Sequence, residues 1–588
     1  MAGLGVFSGA WPVWDLDAAR IGLAVVRACW LAGLLAAAGA LLFRAMEPAL
    51  PAAVSGRILR LILASLAFAG VAWLAWVALQ AVVLVGPDHG GWAHPATLVS
   101  AVRQTAFGRA AVVQLALLAA AALTLRLGRW LPALLALAAT AAQVAHLHAW
   151  AMASSVAIAA GLLHLLGAAG WLGGLLPLRI AVRHSPPALA AAAMRRFSRR
   201  AQWYVGLLAA SALVQGWDLL GGLPGIVGTA YGWVAIAKLL LFAALLGFAI
   251  RHRWRLTPAL ARPEPGSVQR ALVRSLGRQT FVGVLVIAAA ALLGALPPGM
   301  HVQPVWPFAL RPSLTGVQAD AAVARAVLLA GAATLLALVL FGLAIASRIL
   351  RWPALAAGTA ILWFAVPHLS PLLARAYPTS FARSPTGFAA TDIAEGAALY
   401  DAQCARCHAA LAQTNAPDGD LFWWLSHGIP AANGHPAMPG FAGTLDEDAR
   451  WQIIDVLRAR AAGLTHAATS AWSPPMLAPD LDADCTGGRS LTLRDLRGKP
   501  VRLVFQAAAG PSPAPLPGGA AVTVFVPRPD ATEAAGGDCI AADPSVFAAY
   551  ALVTGLPADQ LAGAEVLIDA AGRLTAVQRH TLQQGDIR

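Results

Sequence analysis

In this chain of 588 residues, the lengths of the apolar segments differ between the first 375 or so residues and the rest. Up to about residue 375, long runs of Ala, Leu, Val and Gly are separated by short polar connections. Each run can form a helix that crosses a bilayer, because about 20 apolar residues suffice for that. The pattern predicts ten membrane-spanning helices, at about 21–43, 58–85, 109–127, 130–149, 154–178, 201–217, 231–250, 279–297, 323–347 and 353–373.

Beyond residue 375 the apolar positions recur at the shorter spacings of soluble domains. Residues 446–457 combine acids in a first turn with a helical apolar face, whereas 501–505, 522–526 and 565–574 have the composition of strands. We therefore predict a mostly α fold, in which a polytopic helical membrane bundle precedes a small all-α domain and a C-terminal α/β domain. We expect eight membrane helices within residues 1–312 and two more within 313–376. The all-α domain is expected at 385–463 and the α/β domain at 474–588. Linkers are expected at 377–385 and 465–479.

Arginine placement predicts the orientation of the bundle. The connections around 179–200 and 251–278 are rich in Arg, whereas residues 218–230 contain neither Lys nor Arg. Positively charged connections stay in the cytoplasm, so the two Arg-rich ones are expected on the inner side. With an even number of spans, both termini then lie outside.

Overall composition narrows the class of protein. A chain that is 59% hydrophobic and only 12% charged cannot be a soluble globule throughout. The formal net charge of +14 comes almost entirely from Arg, since Lys238 and Lys499 are the only lysines. These arginines flank apolar runs, which is typical of membrane orientation, and we therefore expect no nucleic-acid partner.

The clearest chemical motif is the pentapeptide that contains Cys404, Cys407 and His408. Cys-x-x-Cys-His is the attachment signature of c-type haem, in which two thiols bind the porphyrin and the histidine binds the iron. A chance match or half of a Cys/His zinc site is the alternative, but no second Cys/His pair lies nearby. Because covalent haem is attached outside the cytoplasm, the motif independently predicts an external C-terminal part.

A sixth iron ligand is expected on a later loop. Met438 lies between Pro and Gly residues, and methionine ligation raises the reduction potential of haem. His427 and His435 are the competing ligands. With this loop, the aromatic run 421–425 and the closing helix, residues 385–463 resemble a class I cytochrome c. The resemblance implies haem c and an external electron donor or acceptor.

Histidines concentrate at the predicted outer ends of the membrane helices. They are His89, His94, His146, His148 and His301, and His164 lies deeper in the fifth span. Imidazoles, with the thioethers of nearby methionines, are ligands that suit copper, especially Cu(I). The alternatives are ordinary loop histidines, a side chain at headgroup level, or a helix-packing hydrogen bond for His164.

Several short motifs of the bundle occur in the order found in one membrane family. They are LHLLGAAGWLGGL at 163–175, Arg-Phe-Ser at 196–198, Thr-Ala-Tyr-Gly at 229–232 followed by Lys238, Pro-Pro-Gly-Met-His at 297–301 and Trp-Pro-Phe at 306–308. Over residues 20–312 the chain resembles the CopD family of copper-resistance proteins. The resemblance implies an eight-helix domain that moves copper across the bacterial inner membrane, with the histidines as candidate ligands.

The last domain resembles thioredoxin-like redoxins and copper chaperones through Leu-Arg-Gly-Lys-Pro at 496–500 and the Gly turn near residue 572. Such proteins have Cys-x-x-Cys after the first long strand, but residues 506–513 of this chain contain no cysteine. Dithiol chemistry is therefore not expected. Cys485 and Cys539 are predicted to form a structural disulfide, with a metal or redox pair as the alternative.

These features favour a copper-homeostasis membrane protein whose own c haem exchanges electrons, with copper ions and a copper chaperone as partners. Two alternatives stay open. The bundle could carry quinol electrons through a b-type haem to the c haem, or it could serve as a platform for inserting copper into a respiratory oxidase. The pattern does not decide whether the protein is an enzyme.

Overall fold

The computed structural model describes residues 11–12, 14, 16–47, 49–85, 95–151, 153–261, 265–408, 416–431, 436–506, 522–527 and 539–579. Two compact units divide the chain, one within Trp11–Val305 and the other within Trp306–Arg588. The candidate copper ligands His89 and His94 lie outside the described residues, as does His435. Most of the segment that replaces Cys-x-x-Cys, from residue 507 onward, also lies outside them.

The first unit is helical. Its α-helices are α1 (Ala18–Met46), α2 (Ala52–Val85), α3 (Pro95–Gln104), α4 (Ala106–Leu123), α5 (Trp130–Ala142), α6 (His148–Ala151), α7 (Ser155–His184), α8 (Pro187–Leu219), α9 (Gly222–Gly228), α10 (Ala230–Arg251), α11 (Thr257–Ala259) and α12 (Pro265–Leu293). Short 3-10 turns lie at Thr124–Arg126, Gln143–His146 and Gly299–His301, and a π-helical turn at His252–Leu256.

Eight helices of the described chain are long and apolar enough to cross a membrane, rather than ten. A ninth is obtained if α8 and α9, which meet at an angle of 91°, are counted as one broken span. The remaining predicted span, the fourth in the chain at 130–149, is the short helix α5 followed by a 3-10 turn to His146. Composition alone could not reveal this shortening, because the segment is mostly apolar and its polar residues are few.

Close helix contacts explain the glycines of the LHLLGAAGWLGGL motif. A side chain at Gly173 would overlap the backbone of Leu35 and Gly39 in α1. Gly170 faces the ring of Tyr204, and Gly174 faces that of Phe197. Small residues thus let α7 approach its neighbours, as the sequence predicts.

The Arg-rich connections are helical rather than extended loops. Helix α7 continues to His184 and α8 begins at Pro187, so the arginines of this connection lie within the two helices. There, Arg196 and Arg200 bind the carboxylate of Glu47 at 2.6 and 2.7 Å, and the Glu47 side chain is fully buried. Sequence reasoning missed Glu47, an acid at the end of an apolar run. Its arginine partners lie about 150 residues away, and this separation hid the ion pairs from sequence reasoning.

The second unit combines membrane helices with soluble elements. They are β1 (Leu310–Pro312), α13 (Thr315–Gln318), α14 (Ala321–Ala346), α15 (Arg351–Ala365), a 3-10 helix (Val366–Leu372), β2 (Leu373–Arg375), α16 (Ala390–Gln403), α17 (Asp418–His427), α18 (Glu447–Thr469), β3 (Asp482–Cys485), β4 (Arg489–Thr492), β5 (Val501–Phe505), β6 (Val522–Val526), β7 (Cys539–Ile540), α19 (Pro544–Thr554), α20 (Ala558–Leu561), β8 (Ala564–Ile568) and β9 (Leu574–Arg579). Strands β1 and β2 pair antiparallel as a short ribbon.

The C-terminal part contains a seven-stranded sheet in the order β4-β3-β7-β6-β5-β8-β9. Strand β5 is parallel to β6 and antiparallel to β8, and β8 and β9 form the predicted hairpin. The predicted strands at 501–505 and 522–526 are confirmed. Cys485 and Cys539 face each other on β3 and β7 and are joined in a disulfide, which agrees with the predicted structural bridge.

Helix α18 extends to Thr469, into the segment predicted as the second linker. Gly463 on this helix approaches Gly555 so closely that neither could carry a side chain without overlap. The Trp472 indole donates to the Val553 carbonyl at 3.0 Å, and the Tyr550 hydroxyl donates to the Pro479 carbonyl at 2.9 Å. The all-α and α/β parts therefore share one hydrophobic core.

Candidate haem and copper sites

The haem-attachment motif begins where α16 ends. The Cys404 amide donates to the Tyr400 carbonyl at 2.8 Å, and the Cys407 and His408 amides donate back to the Cys404 carbonyl at 3.1 and 2.9 Å. The Tyr400 hydroxyl donates to the His408 carbonyl at 2.8 Å. These bonds fold the pentapeptide into a tight turn. Cys404 is buried, whereas Cys407 and His408 are exposed.

Met438 lies on a loop that packs against the same hydrophobic core as Cys404. Its backbone pairs with Ile429, through bonds of 3.0 and 2.9 Å between the two amides and the two carbonyls. Gly428 permits this reversal because its φ of +79° is in the left-handed region that favours glycine. The competing ligand His427 instead stacks on Trp423, with ring centroids 3.7 Å apart.

This donor set fits haem c. Neither thiol of the motif is engaged in a disulfide, the histidine follows directly, and the methionine loop borders the same core. Within the aromatic run 421–425, Phe422 is buried and stacks on Trp451 at 4.4 Å. Cys404 and Cys407 would hold the porphyrin, and His408 and Met438 would be the axial ligands.

A buried carboxyl group lies on α18 in the same region. Burial, together with the negative charges of Asp392 and Asp418, raises the pKa of Asp455 to about 7. The Thr386 hydroxyl donates to the Asp455 carboxylate at 2.5 Å and opposes this rise. Asp455 therefore changes protonation near neutral pH, and sequence reasoning did not identify it.

Two of the predicted copper ligands meet in the structure. The Nε2 atoms of His148 and His301 are 3.2 Å apart, although the residues are 153 positions apart in the chain. His148 begins the short helix α6, and His301 ends a 3-10 turn. A metal ion between two imidazoles needs ~2 Å to each nitrogen. A small separation of the rings would therefore admit a two-coordinate Cu(I) ion.

His146 lies in a different environment. Its Nε2 atom is 3.1 Å from Gln114 Oε1, and the rings of Trp76 and Phe107 flank it at 4.9 Å. Because the Gln114 amide nitrogen donates to Gln143 Oε1 at 2.9 Å, its oxygen must accept from His146. The free lone pair is then on His146 Nδ1, a buried atom without a hydrogen-bond partner among the described residues.

His164 is also separate from the pair. Its Nδ1 atom is 3.0 Å from Ser211 Oγ. This serine contact is not the facing pair of histidines that a b-type haem requires. Within the described part of the chain, no group of three or more His, Cys, Asp or Glu side chains could hold a metal.

Three parts of the chain match known protein families. Residues 16–151 match "Copper resistance protein D-like, N-terminal domain", residues 191–293 match "Copper resistance protein D", and residues 391–455 match "Cytochrome C oxidase, cbb3-type, subunit III". No solved structure matches the chain. The matches support a multi-pass membrane protein related to copper-resistance proteins and carrying a cytochrome c region.

Two curated relatives also match. Copper resistance protein D of Pseudomonas syringae pv. tomato is 28% identical over 153 residues, which is 24% of this chain and 49% of the relative. Copper transport protein CutJ of Bacillus subtilis is 26% identical over 257 residues, which is 41% of this chain and 46% of the relative. The chain thus spans about half the length of each of these relatives.

Proposed function

We propose that this protein binds copper ions at the outer face of the bacterial inner membrane and moves them across it. The observation that carries the proposal is the meeting of His148 and His301 within a unit whose sequence is similar to copper-resistance proteins. Two neutral imidazoles are a ligand set that suits Cu(I). His146 and His164 are secondary candidates, because each lies in its own hydrogen-bonded environment.

The proposal assigns a redox role to the cytochrome region. Bound haem c supplies one-electron chemistry. This chemistry would bring copper to the oxidation state that the receiving site binds. Cys404 and Cys407 fix the group covalently, and His408 and Met438 hold its iron. The haem would exchange electrons with copper and with an external donor or acceptor protein.

The topology that we propose follows from the arginines. Their concentration on the ends of α7, α8 and α12 supports a cytoplasmic position for these ends. Both termini would then be periplasmic, together with the cytochrome and α/β regions. The α/β region would be a thioredoxin-like domain without Cys-x-x-Cys, which serves for docking, for example of a copper chaperone.

Copper uptake into proteoliposomes tests this function. The c haem is held oxidised or reduced while uptake of Cu(I) and Cu(II) is measured for the native protein and for His148→Ala and His301→Ala. We expect uptake that depends on the haem state and falls at least tenfold in both variants. His368→Ala is the matched control, because His368 is an exposed histidine of the second unit.

Different outcomes have different meanings in this experiment. Equal uptake by all variants would refute the assignment of the histidine pair. Copper binding without uptake would favour a platform for delivering copper to another protein. A second α-band in the optical spectrum would favour the b-haem pathway for quinol electrons.

A further inference from the structure

Helix α17 connects two distant parts of the second unit, and it lies in sequence between His408 and Met438. Asp420, in its first turn, is 4% exposed. Arg311 on strand β1 donates to Asp420 Oδ2 from Nη2 at 3.0 Å. The Ser380 hydroxyl donates to the other carboxylate oxygen. The start of the helix is therefore fixed by a buried ion pair to the ribbon whose strands β1 and β2 precede and follow α14 and α15 in the chain.

Further contacts secure the same end of the helix. The Thr379 hydroxyl donates to the Gly419 carbonyl at 2.6 Å, and a side chain at Gly419 would overlap the backbone of Thr379. The Tyr377 ring stacks on Trp423 with centroids 5.6 Å apart and planes 17° apart. The segment predicted as the first linker is thus packed against the helix at several points.

The opposite end of α17 holds the loop that contains Met438. Ile429, two residues after the helix, exchanges two backbone hydrogen bonds with Met438. The Phe441 amide donates to the Leu425 carbonyl at 2.8 Å, so the loop is also bonded to the last turn of the helix. The Arg450 guanidinium donates to the Ser426 hydroxyl in that turn. The methionine loop is therefore bonded to the C-terminal end of the helix at Met438 and at Phe441.

We propose that α17 is a strut through which Arg311 and Asp420 position Met438 as an axial ligand. A ten-residue helix is stiff and about 15 Å long, so a shift at its start displaces the loop bonded to its end. Arg311 and Asp420 are positioning residues that act on the iron through the helix. The inference rests on the proposed haem attachment and is independent of copper transport.

If α17 positions Met438 in this way, loss of the Arg311–Asp420 ion pair should change the absorption spectrum of the haem. If the buried pair is broken, the remaining group is left uncompensated, and the start of the helix must move toward solvent. Met438 then binds the iron less well. Because methionine ligation raises the potential, the haem should become a stronger reductant.

The test uses the full-length protein with its haem attached. Asp420→Asn and Arg311→Met are compared with the native protein by the methionine-to-iron charge-transfer band of the oxidised haem and by redox titration. We expect a weaker band and about a tenfold shift of the reduction equilibrium, which is ~59 mV for a one-electron couple. Arg311→Lys keeps the charge and should restore part of both signals.

Glu565→Gln is the matched control, because Glu565 pairs with Arg502 in an equally buried site within the sheet. General destabilisation would change the signals of this control as well, and that result would overturn the strut. Unchanged band and potential in both strut variants would also overturn it. If these variants do not fold, Ser380→Ala removes one hydroxyl donor and should give a smaller shift in the same direction. A native protein without covalent haem would refute the haem assignment itself, which separates the two failures.

Discussion

The cytochrome region, residues 385–463, and the first unit, residues 11–305, differ in how far apart along the chain their interacting groups lie. The first unit is called the membrane unit below. Tyr400 bonds to His408 across eight positions, at the end of one helix. In the membrane unit, His148 meets His301 across 153 positions, and Glu47 meets Arg196 across 149. The attachment turn at Cys404–His408 persists while one helix end is intact. The two contacts in the membrane unit exist only while several helices keep their packing.

The buried ion pairs of Glu47 should give the largest effect in the membrane unit. Glu47→Gln leaves Arg196 and Arg200 without their shared carboxylate at the junction of α1 and α8. We expect a loss of about 1.5–3 kcal/mol in stability, because hydrogen bonds to a buried charged group are lost while the partly exposed arginines keep contact with solvent. The apparent melting temperature in detergent measures this loss.

Asp218→Asn provides the control for that measurement, since Asp218 is an exposed acid of the same unit. The cytochrome region should keep its haem and its potential in Glu47→Gln, because its site is local. An equal loss of stability in both variants would contradict the role of Glu47. Loss of haem would contradict the comparison between the two regions.

The histidine pair should give a smaller effect. His148→Ala or His301→Ala each removes one of two imidazoles, and we expect Cu(I) affinity to fall at least about tenfold, or ~1.4 kcal/mol. Competition with a chromogenic Cu(I) chelator measures the affinity. The double variant should lose little more than either single variant, because the two side chains act as one site.

His368→Ala is the matched control for this cycle, as His368 is an exposed histidine that hydrogen-bonds to the Phe364 carbonyl. Its Cu(I) affinity should stay near the native value. Additive losses in the double variant would show that His148 and His301 do not share an ion. If His146→Ala lowers the Cu(I) affinity as much as His148→Ala or His301→Ala does, the copper site includes His146.

The difference between the regions also explains how much could be predicted from sequence. The candidate haem ligands could be named from sequence, because haem attachment requires two cysteines and a histidine at the fixed spacing of Cys404, Cys407 and His408. His148 and His301 could each be named from sequence as candidate copper ligands. Their contact with each other could not be predicted, because it depends on how two outer turns pack. Asp420 gave no signal, since an acid in a first helical turn is common on protein surfaces.

The span count shows a related limit. Hydropathy identifies apolar segments and predicted ten, but it does not report where an apolar helix bends or stops. Gly221, with a φ of +72°, separates α8 from α9, and residues 143–146 tighten into a 3-10 turn after α5. These local departures from the α-helix reduce the number of clear spans to eight in the described chain.

Asp455 should give the smallest effect when pH changes by one unit, and it tests how local the contacts of the cytochrome region are, because its bond to Thr386 crosses 69 positions. Its pKa is raised to about 7 in the folded protein, so between about pH 4 and 7 the folded state binds more protons than the unfolded state. Stability should therefore fall as pH rises through this range, by at most ~1.4 kcal/mol per pH unit. Thermal unfolding followed by haem absorbance measures this slope.

Asp455→Asn should remove that slope, since the amide stays neutral at every pH. Asp448→Asn, an exposed first-turn acid of the same helix, should leave it unchanged. A native slope of the opposite sign would mean that Asp455 is ionised in the folded protein and paired with a cation. In that case a long-range charge contact would stabilise the cytochrome region as Glu47 stabilises the membrane unit, and the two regions would differ less than their haem and copper sites indicate.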